Sequence, residues 1–236
     1  MSEFVPVSLL CRPVAFALVC TALLTASLDR AYARAGETIG GRALVIDGDT
    51  LEINGQRVRL EGIDAPEMAQ TCGRRWFGSW SCGAEASRML TSRVDGRHVE
   101  CAAQGLDKYG RVLGLCTVDN RDINSEMVRS GYAWAFVKYS NRYVADESYA
   151  RTEKLGIWQG KAEPAWEYRA NRWANAETDA PNGCAIKGNV TEHGHIYHMP
   201  WSPWYGKVKV ETAKGEAWFC TEREASNAGF RPAMQH

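Results

Sequence analysis

Val45-Ile46-Asp47-Gly48-Asp49-Thr50 and, one short hairpin later, Val58-Arg59-Leu60-Glu61-Gly62-Ile63-Asp64-Ala65-Pro66-Glu67 decide how this chain is read. Two β-branched, apolar segments each run into a knot of carboxylates. Between them, residues 50–53 and 56–60 alternate in period two around Asn54-Gly55, the strongest short hairpin signal. On the second strand of that hairpin Val58 and Leu60 share one face, and Arg57, Arg59 and Glu61 share the other. An arginine is therefore held on a rigid strand beside two groups of acids. A hard divalent cation takes oxygen ligands, and Asp49, Asp64 and the Ala65 carbonyl supply them from the ends of neighbouring strands. Glu67, fixed beyond Pro66, stands where it orients or deprotonates a water. Planar guanidiniums offer paired donors to the oxygens of a phosphodiester under attack, and Arg59 and Arg111 are the candidates.

Working outward, residues 42–46 read as the first strand, and residues 98–102 and 112–118 as two more, joined by the turn 104–110. Residues 68–81, rich in Gly, Trp and Arg, read as a surface loop. Helices are expected over 84–93, with Ala86, Met89 and Leu90 on one face, over 122–130, with Ile123, Met127 and Val128 inward, and over 143–154. Five short strands with a helix after the third and helices after the last give an α+β class, a five-stranded OB-fold barrel with packed helices. Residues 166–181 begin like a helix and drift into polar residues, which reads as a linker. Residues 182–236, with their own cysteine pair and a helix near 222–228, read as a small C-terminal accessory domain behind a barrel domain of residues 36–165.

The first 35 residues read as a secretory signal peptide. An apolar run at 14–28 follows Arg12, and Ala33-Arg34-Ala35 gives a cleavage site before Gly36. The run is shorter than the roughly 20 apolar residues a membrane span needs, so no anchor is expected in the mature chain. The whole chain carries 28 basic and 28 acidic side chains; three and two of them lie in residues 1–35, leaving 25 and 26. No global field draws such a chain to nucleic acid, so phosphate recognition must be local. Six cysteines remain in sequence-adjacent couples without C-x-x-C spacing, which in an exported chain reads as disulfides: Cys72 with Cys82, Cys101 with Cys116, and Cys184 with Cys220. Closing the first, short loop is worth about 2–3 kcal/mol in the chain-entropy model.

The segments VIDGDT, VRLEGIDAPE and DKYGR, in that order and with a helix between the last two, resemble the staphylococcal-type thermonuclease family; INSEMVRSGYAWA and KLGIW extend the resemblance over residues 41–158. The resemblance implies an OB-fold, one calcium ion, and hydrolysis of DNA and RNA to 3′-phosphate and 5′-hydroxyl ends. It places Asp49, Asp64 and the Ala65 carbonyl on the calcium, makes Arg59, Glu67 and Arg111 the catalytic trio, and sets Tyr109, with Lys108, beside the nucleotide. Ala65 stands where the family's best-studied member has threonine, a change a main-chain ligand survives. Arg74 and Arg75 replace a lysine-rich loop, and Val137 replaces an aromatic residue that often stacks on the base. A monomer working outside the cytoplasm, periplasmic or secreted, without a stable protein partner, is expected.

Two rival readings belong to other classes. One is a non-catalytic OB module that only grips nucleic acid. It has no use for unpaired acids beside a phosphate. The other makes the tail the functional unit, associated with the cell envelope or a metal. His193, His195 and His198, with Cys184 and Cys220, invite zinc, but their spacing fits no standard finger and export favours a disulfide. The tail also resembles, distantly, the zinc-binding domain of the Ada repair protein, without the cysteines that domain would need after the IYHMP and FRP segments.

Overall fold

The described chain, residues 36–233 of a computed structural model, begins with a strand that Arg42 breaks into β1 (Thr38–Gly41) and β2 (Ala43–Val45). Next come β3 (Thr50–Ile53) and β4 (Gln56–Leu60), joined at Asn54-Gly55, where both residues take positive φ, 52° and 76°. That is the backbone of a type I′ turn, and it sets Leu51 opposite Val58 and Thr50 opposite Arg59. There follow β5 (Ile63–Asp64), β6 (Cys72–Gly73), β7 (Ser79–Trp80), α1 (Cys82–Val94), β8 (Val99–Leu106) and β9 (Val112–Val118). The first half closes with β10 (Arg121–Asp122), α2 (Ile123–Arg129), β11 (Trp134–Ala135) and α3 (Val144–Thr152).

The main sheet has seven strands in the order β1-β8-β9-β4-β3-β2, with β10 added to β9. β1 and β2 are halves of one stretch, yet they lie at opposite ends of that order, so the sheet must curl. Helices pack on it, and the class is α+β. Its interior is lined by Leu51, Ile53, Val58, Leu60, Val99, Cys101, Val112 and Cys116, all fully buried, with Ala86 and Leu90 of α1 against them. Burying each of the larger of these side chains stabilises the fold by roughly 1.5–3 kcal/mol. The period-two reading of β4 holds: Val58 and Leu60 face in, while Arg57 and Arg59 sit half-buried on the other face.

Helix α2 is fixed at both ends by local chemistry. The Asp122 side chain accepts from Ser125 N–H at 2.9 Å at the start. At the end, Gly131 takes φ of 76°, Tyr132 N–H reaches Met127 O and Gly131 N–H reaches Val128 O, a Schellman closure. Ile123, Met127 and Val128 are buried, as the pattern required. Asn124, also buried, donates to the carbonyls of Glu61 and Gly114 and accepts from Cys116 N–H, pinning α2 to the strand ends beside the acids.

Disulfides join Cys72 to Cys82, Cys101 to Cys116 and Cys184 to Cys220, the pairs expected from sequence adjacency. Cys101 and Cys116 are direct partners across β8 and β9. The stretch 68–81 is less of a loop than its composition suggests, because β6 and β7 pair across the Cys72–Cys82 link and Trp80 packs edge-on against Tyr132. Helix α1 starts two residues earlier than expected, at Cys82, and Gly83 in its first turn lies hard against the chain at Glu67. A Cβ on Gly83 would fall 1.7 Å from the Glu67 carbonyl oxygen. Gly83→Ala is therefore expected to destabilise the protein by about 1–3 kcal/mol and to lower activity by displacing Glu67. Urea unfolding and cleavage rates check it, and a wild-type midpoint would show that α1 moves aside freely.

The stretch read as a linker is not one. Residues 165–179 form a continuous helix, α4 (Ala165–Asp179), because its apolar residues fall on helical spacing: Ala165, Tyr168 and Ala176 are buried on one face. Ala165 joins the cluster of Trp134 and Ile157 around the Cys72–Cys82 bond, and Trp166 stacks on Phe136 with ring centres 5.5 Å apart. Beyond it lie β12 (Ile186–Thr191), β13 (Gly194–His198), β14 (Ala217–Phe219), α5 (Glu222–Asn227) and β15 (Arg231–Pro232), forming a sheet ordered β14-β12-β13-β15 over a core of Ile186, Tyr197, Phe219, Ala225 and Phe230. Trp173 of α4 packs against that core, and all the described residues fall within one compact unit.

In the tail the disulfide favoured over zinc is the arrangement that forms. Cys184 and Cys220 are spent on each other, His195 stacks on Phe230, and His198 shares a hydrogen bond with Asn189. His195 and His198 are three apart on one strand and so point to opposite faces. Among the described residues no group of three or more His, Cys, Asp or Glu side chains is placed to hold a metal. No helix of the described residues is long and apolar enough to cross a membrane. The expected signal segment lies outside the described residues.

Candidate active site

The site forms where the hairpin, β5 and α4 meet. Thr50 is the cross-strand partner of Arg59, so the strand register delivers the Arg59 guanidinium to Asp49, the residue before Thr50. Nη1 of Arg59 donates to Asp49 Oδ1 and Nη2 to Asp64 Oδ1, both at 2.7 Å. One fork thus bridges the two acids singled out as cation ligands. Asp64 is placed by β5, whose short pairing with β11 sets it opposite Trp134. Asp49 is held further by Ala65 N–H on Oδ2 at 3.0 Å and by the Thr50 hydroxyl on Oδ1. The two carboxylates therefore lie together on one guanidinium, with the Ala65 N–H on Asp49. Carboxylate oxygens are the donors a hard divalent cation takes.

Glu67 is locked by the turn that follows it. Its N–H donates to Gln70 Oε1 and its carbonyl accepts from Gln70 N–H, while buried Gln70 also donates to Glu163 O. Burial pushes the Glu67 carboxyl up to about 7, against the pull of the Arg169 guanidinium bonded to it. Asp47 is pushed up to about 6 by burial and by the neighbouring charge of Asp49. Asp49 goes the other way. Burial works against its charge, but Arg59 and the Ala65 N–H hold it below the ordinary carboxylate value.

Arg111 is set by its own turn. Asp107 caps the loop, accepting from Tyr109 N–H and Arg111 N–H on Oδ1 and from Arg111 Nε on Oδ2 at 2.7 Å. The Arg111 guanidinium lies 5.4 Å from the Tyr109 ring centre, Lys108 Nζ lies 4.6 Å from it, and the charge of Arg111 is felt by both Asp47 and Asp49. Tyr109 is half-exposed. Val137 is exposed, and so is Tyr139, whose ring packs edge-on against Phe136. At the loop tip Trp76 is 77% exposed with Arg75 over its ring, so of the two loop tryptophans only Trp76 is open to a partner.

These features fit one family. Residues 57–160 match the model described as staphylococcal nuclease homologue, and residues 167–232 match a model described as ArfC. A relative in Rhizobium meliloti (strain 1021), the succinoglycan biosynthesis protein ExoI, is 36% identical over 154 residues, covering 64% of this chain and 81% of its own. The chain belongs to the staphylococcal nuclease family. An Escherichia coli protein described as an uncharacterized endonuclease is 36% identical over 140 residues, 56% of this chain and 85% of its own. The micrococcal nuclease of Shigella flexneri is 31% identical over 156 residues, 58% of this chain and 81% of its own.

Within this staphylococcal nuclease homologue, one residue of the acid cluster escapes a sequence reading altogether. Arg169, from α4, donates through Nη2 to Asp64 Oδ2 at 2.7 Å and through Nη1 to Glu67 Oε1 at 2.7 Å and Asp64 Oδ1 at 3.1 Å. Burial opposes its charge, but Asp64 and Glu67 outweigh it and hold its pKa above the ordinary value. The only available signal was the helical spacing of Ala165, Tyr168 and Ala176, which hides a buried face in a polar stretch. The tail approaches the site a second time through Glu222. Burial holds its carboxyl above the usual range, while the Tyr197 hydroxyl, Arg111 and Lys108 pull it down.

Proposed function

We propose that the protein is an exported, calcium-dependent endonuclease of the staphylococcal type, cutting phosphodiester bonds of DNA and RNA on a five-stranded OB-fold barrel. The observation that carries this reading is the bridging of Asp49 and Asp64 by one guanidinium, with Glu67 tied to the same Asp64 through Arg169. A pure binding module gains nothing from burying three acids at a phosphate site, where each repels the ligand. Asp49, Asp64 and the Ala65 carbonyl would hold calcium. When bound, it supplies positive charge that offsets the diester's negative oxygens.

The chain's own groups do the rest. Glu67, raised toward neutrality, takes a proton from the attacking water. The water oxygen bonds to phosphorus while the bond to the 5′-oxygen breaks, and that oxygen takes a proton from solvent as it leaves, giving 3′-phosphate and 5′-hydroxyl ends. Arg59 and Arg111 meet the charge on the equatorial oxygens, and Tyr109 and Lys108 line the path of the nucleotide. Three disulfides support an oxidising compartment, periplasmic or extracellular.

Digestion of supercoiled plasmid by the mature chain, in calcium or in an excess of chelator, tests the proposal. Cleavage is expected only with calcium, leaving ends that a 3′-phosphatase must treat before extension. Undiminished cutting in chelator would overturn the calcium role, and binding without cutting would favour the non-catalytic module.

A further inference from the structure

The acid cluster already contains a cation of the protein's own. Arg169 makes a two-pronged contact with Asp64 and a third bond to Glu67, and Arg59 takes the remaining approach to Asp64 Oδ1. Both oxygens of Asp64, a fully buried carboxylate, are therefore engaged by guanidinium N–H groups. Asp49 is likewise engaged on both oxygens, by Arg59 and Thr50 on one and by Ala65 N–H on the other. Arg59 and Ala65 belong to the barrel, but Arg169 comes from α4, which hydrogen-bonds Asp64 across 105 residues of sequence.

We propose that Arg169 is a resident competitor of the divalent cation: it occupies Asp64 and neutralises Glu67 until the ion displaces it. The inference rests on the calcium reading given above. Its physics is simple. A guanidinium and a divalent ion against the same carboxylate oxygen in a buried site repel each other strongly, and Asp64 Oδ2, which Arg59 leaves open, is covered by Arg169, so Arg169 is the guanidinium the ion must displace. Displacement of Arg169 would also free Glu67 to act on water, so ion binding and activation of the base become one event. The tail is placed to influence that event, because Trp173, one turn along α4, packs into the C-terminal core and against Trp201. Arg169 acts through Asp64 and Glu67 and is a positioning residue.

Calcium titration of the mature full-length chain by isothermal calorimetry tests the competition without measuring cleavage. Arg169→Gln removes the charge while keeping a polar side chain of similar reach, and its affinity for calcium is expected to rise by about tenfold or more. Its melting temperature should fall below wild type without calcium and climb more steeply as calcium is added. Arg169→Lys keeps the charge but not the fork, and its affinity should fall between the two; it also decides the matter if the glutamine variant does not fold. Calcium binding no tighter than wild type in the folded variants would overturn the competition and leave Arg169 as a brace for Asp64, with the nuclease reading intact. Absence of calcium binding to every form, wild type included, would overturn the calcium reading and this inference with it.

Discussion

Glu67→Gln is expected to lower turnover by at least about 10²-fold at saturating calcium while leaving the fold intact. Glutamine is nearly the same size, and before the ion enters its Oε1 can still accept from Arg169, which then also holds Asp64 by two bonds. The backbone at Glu67 is set by Gln70 and by the approach of Gly83, neither of which involves the carboxylate. What is lost is basicity at a group that burial has raised to about 7, where it is best matched to taking a proton near neutral pH. Initial rates on plasmid, alongside circular dichroism and a urea midpoint, separate the two effects. Cleavage at the wild-type rate would show that another group activates the water.

Arg59→Lys should be nearly as damaging to catalysis, by about 10²–10³-fold, because one ammonium replaces a fork that spans two acids and faces the phosphate. Here stability should fall as well, by about 1–3 kcal/mol, since an ammonium reaching one carboxylate leaves the other short of a donor. The pH dependence has a definite sign. Burial disfavours the Asp49 charge, but Arg59 and Ala65 N–H hold its folded pKa below the unfolded value, so their contribution is present above the ordinary carboxylate pKa and fades as pH falls through the folded one. The stability gap between wild type and Arg59→Lys is therefore expected to be widest near neutral pH and to narrow in acid. Urea titrations at both pH values check this, and a gap that widens in acid would contradict the pairing.

Much of this site is written locally in the chain. Asn54-Gly55 dictates the hairpin turn, the alternation of Val58 and Leu60 with Arg59 dictates which way the guanidinium points, and the strand register brings it to Asp49. Each of those relations spans ten residues or fewer. Cysteine couples close in sequence could be paired because short separations and directly opposed strands leave little choice. Arg169 was not legible for the opposite reason. Its partners lie about a hundred residues away, and its helix looks polar because the face it buries is narrow and includes the arginine itself. A charged residue that is buried by pairing leaves the same letter in the sequence as one that is solvated. The C-terminal histidines are the complementary case, close neighbours in sequence of which the strand's alternation turns His195 and His198 apart.

The opening strand, divided at Arg42 between the two ends of the sheet, has a consequence for solubility. Its two margins are segments of four and three residues, too short to template the addition of a foreign strand. Protection against edge-to-edge aggregation is thus built into the sheet's topology.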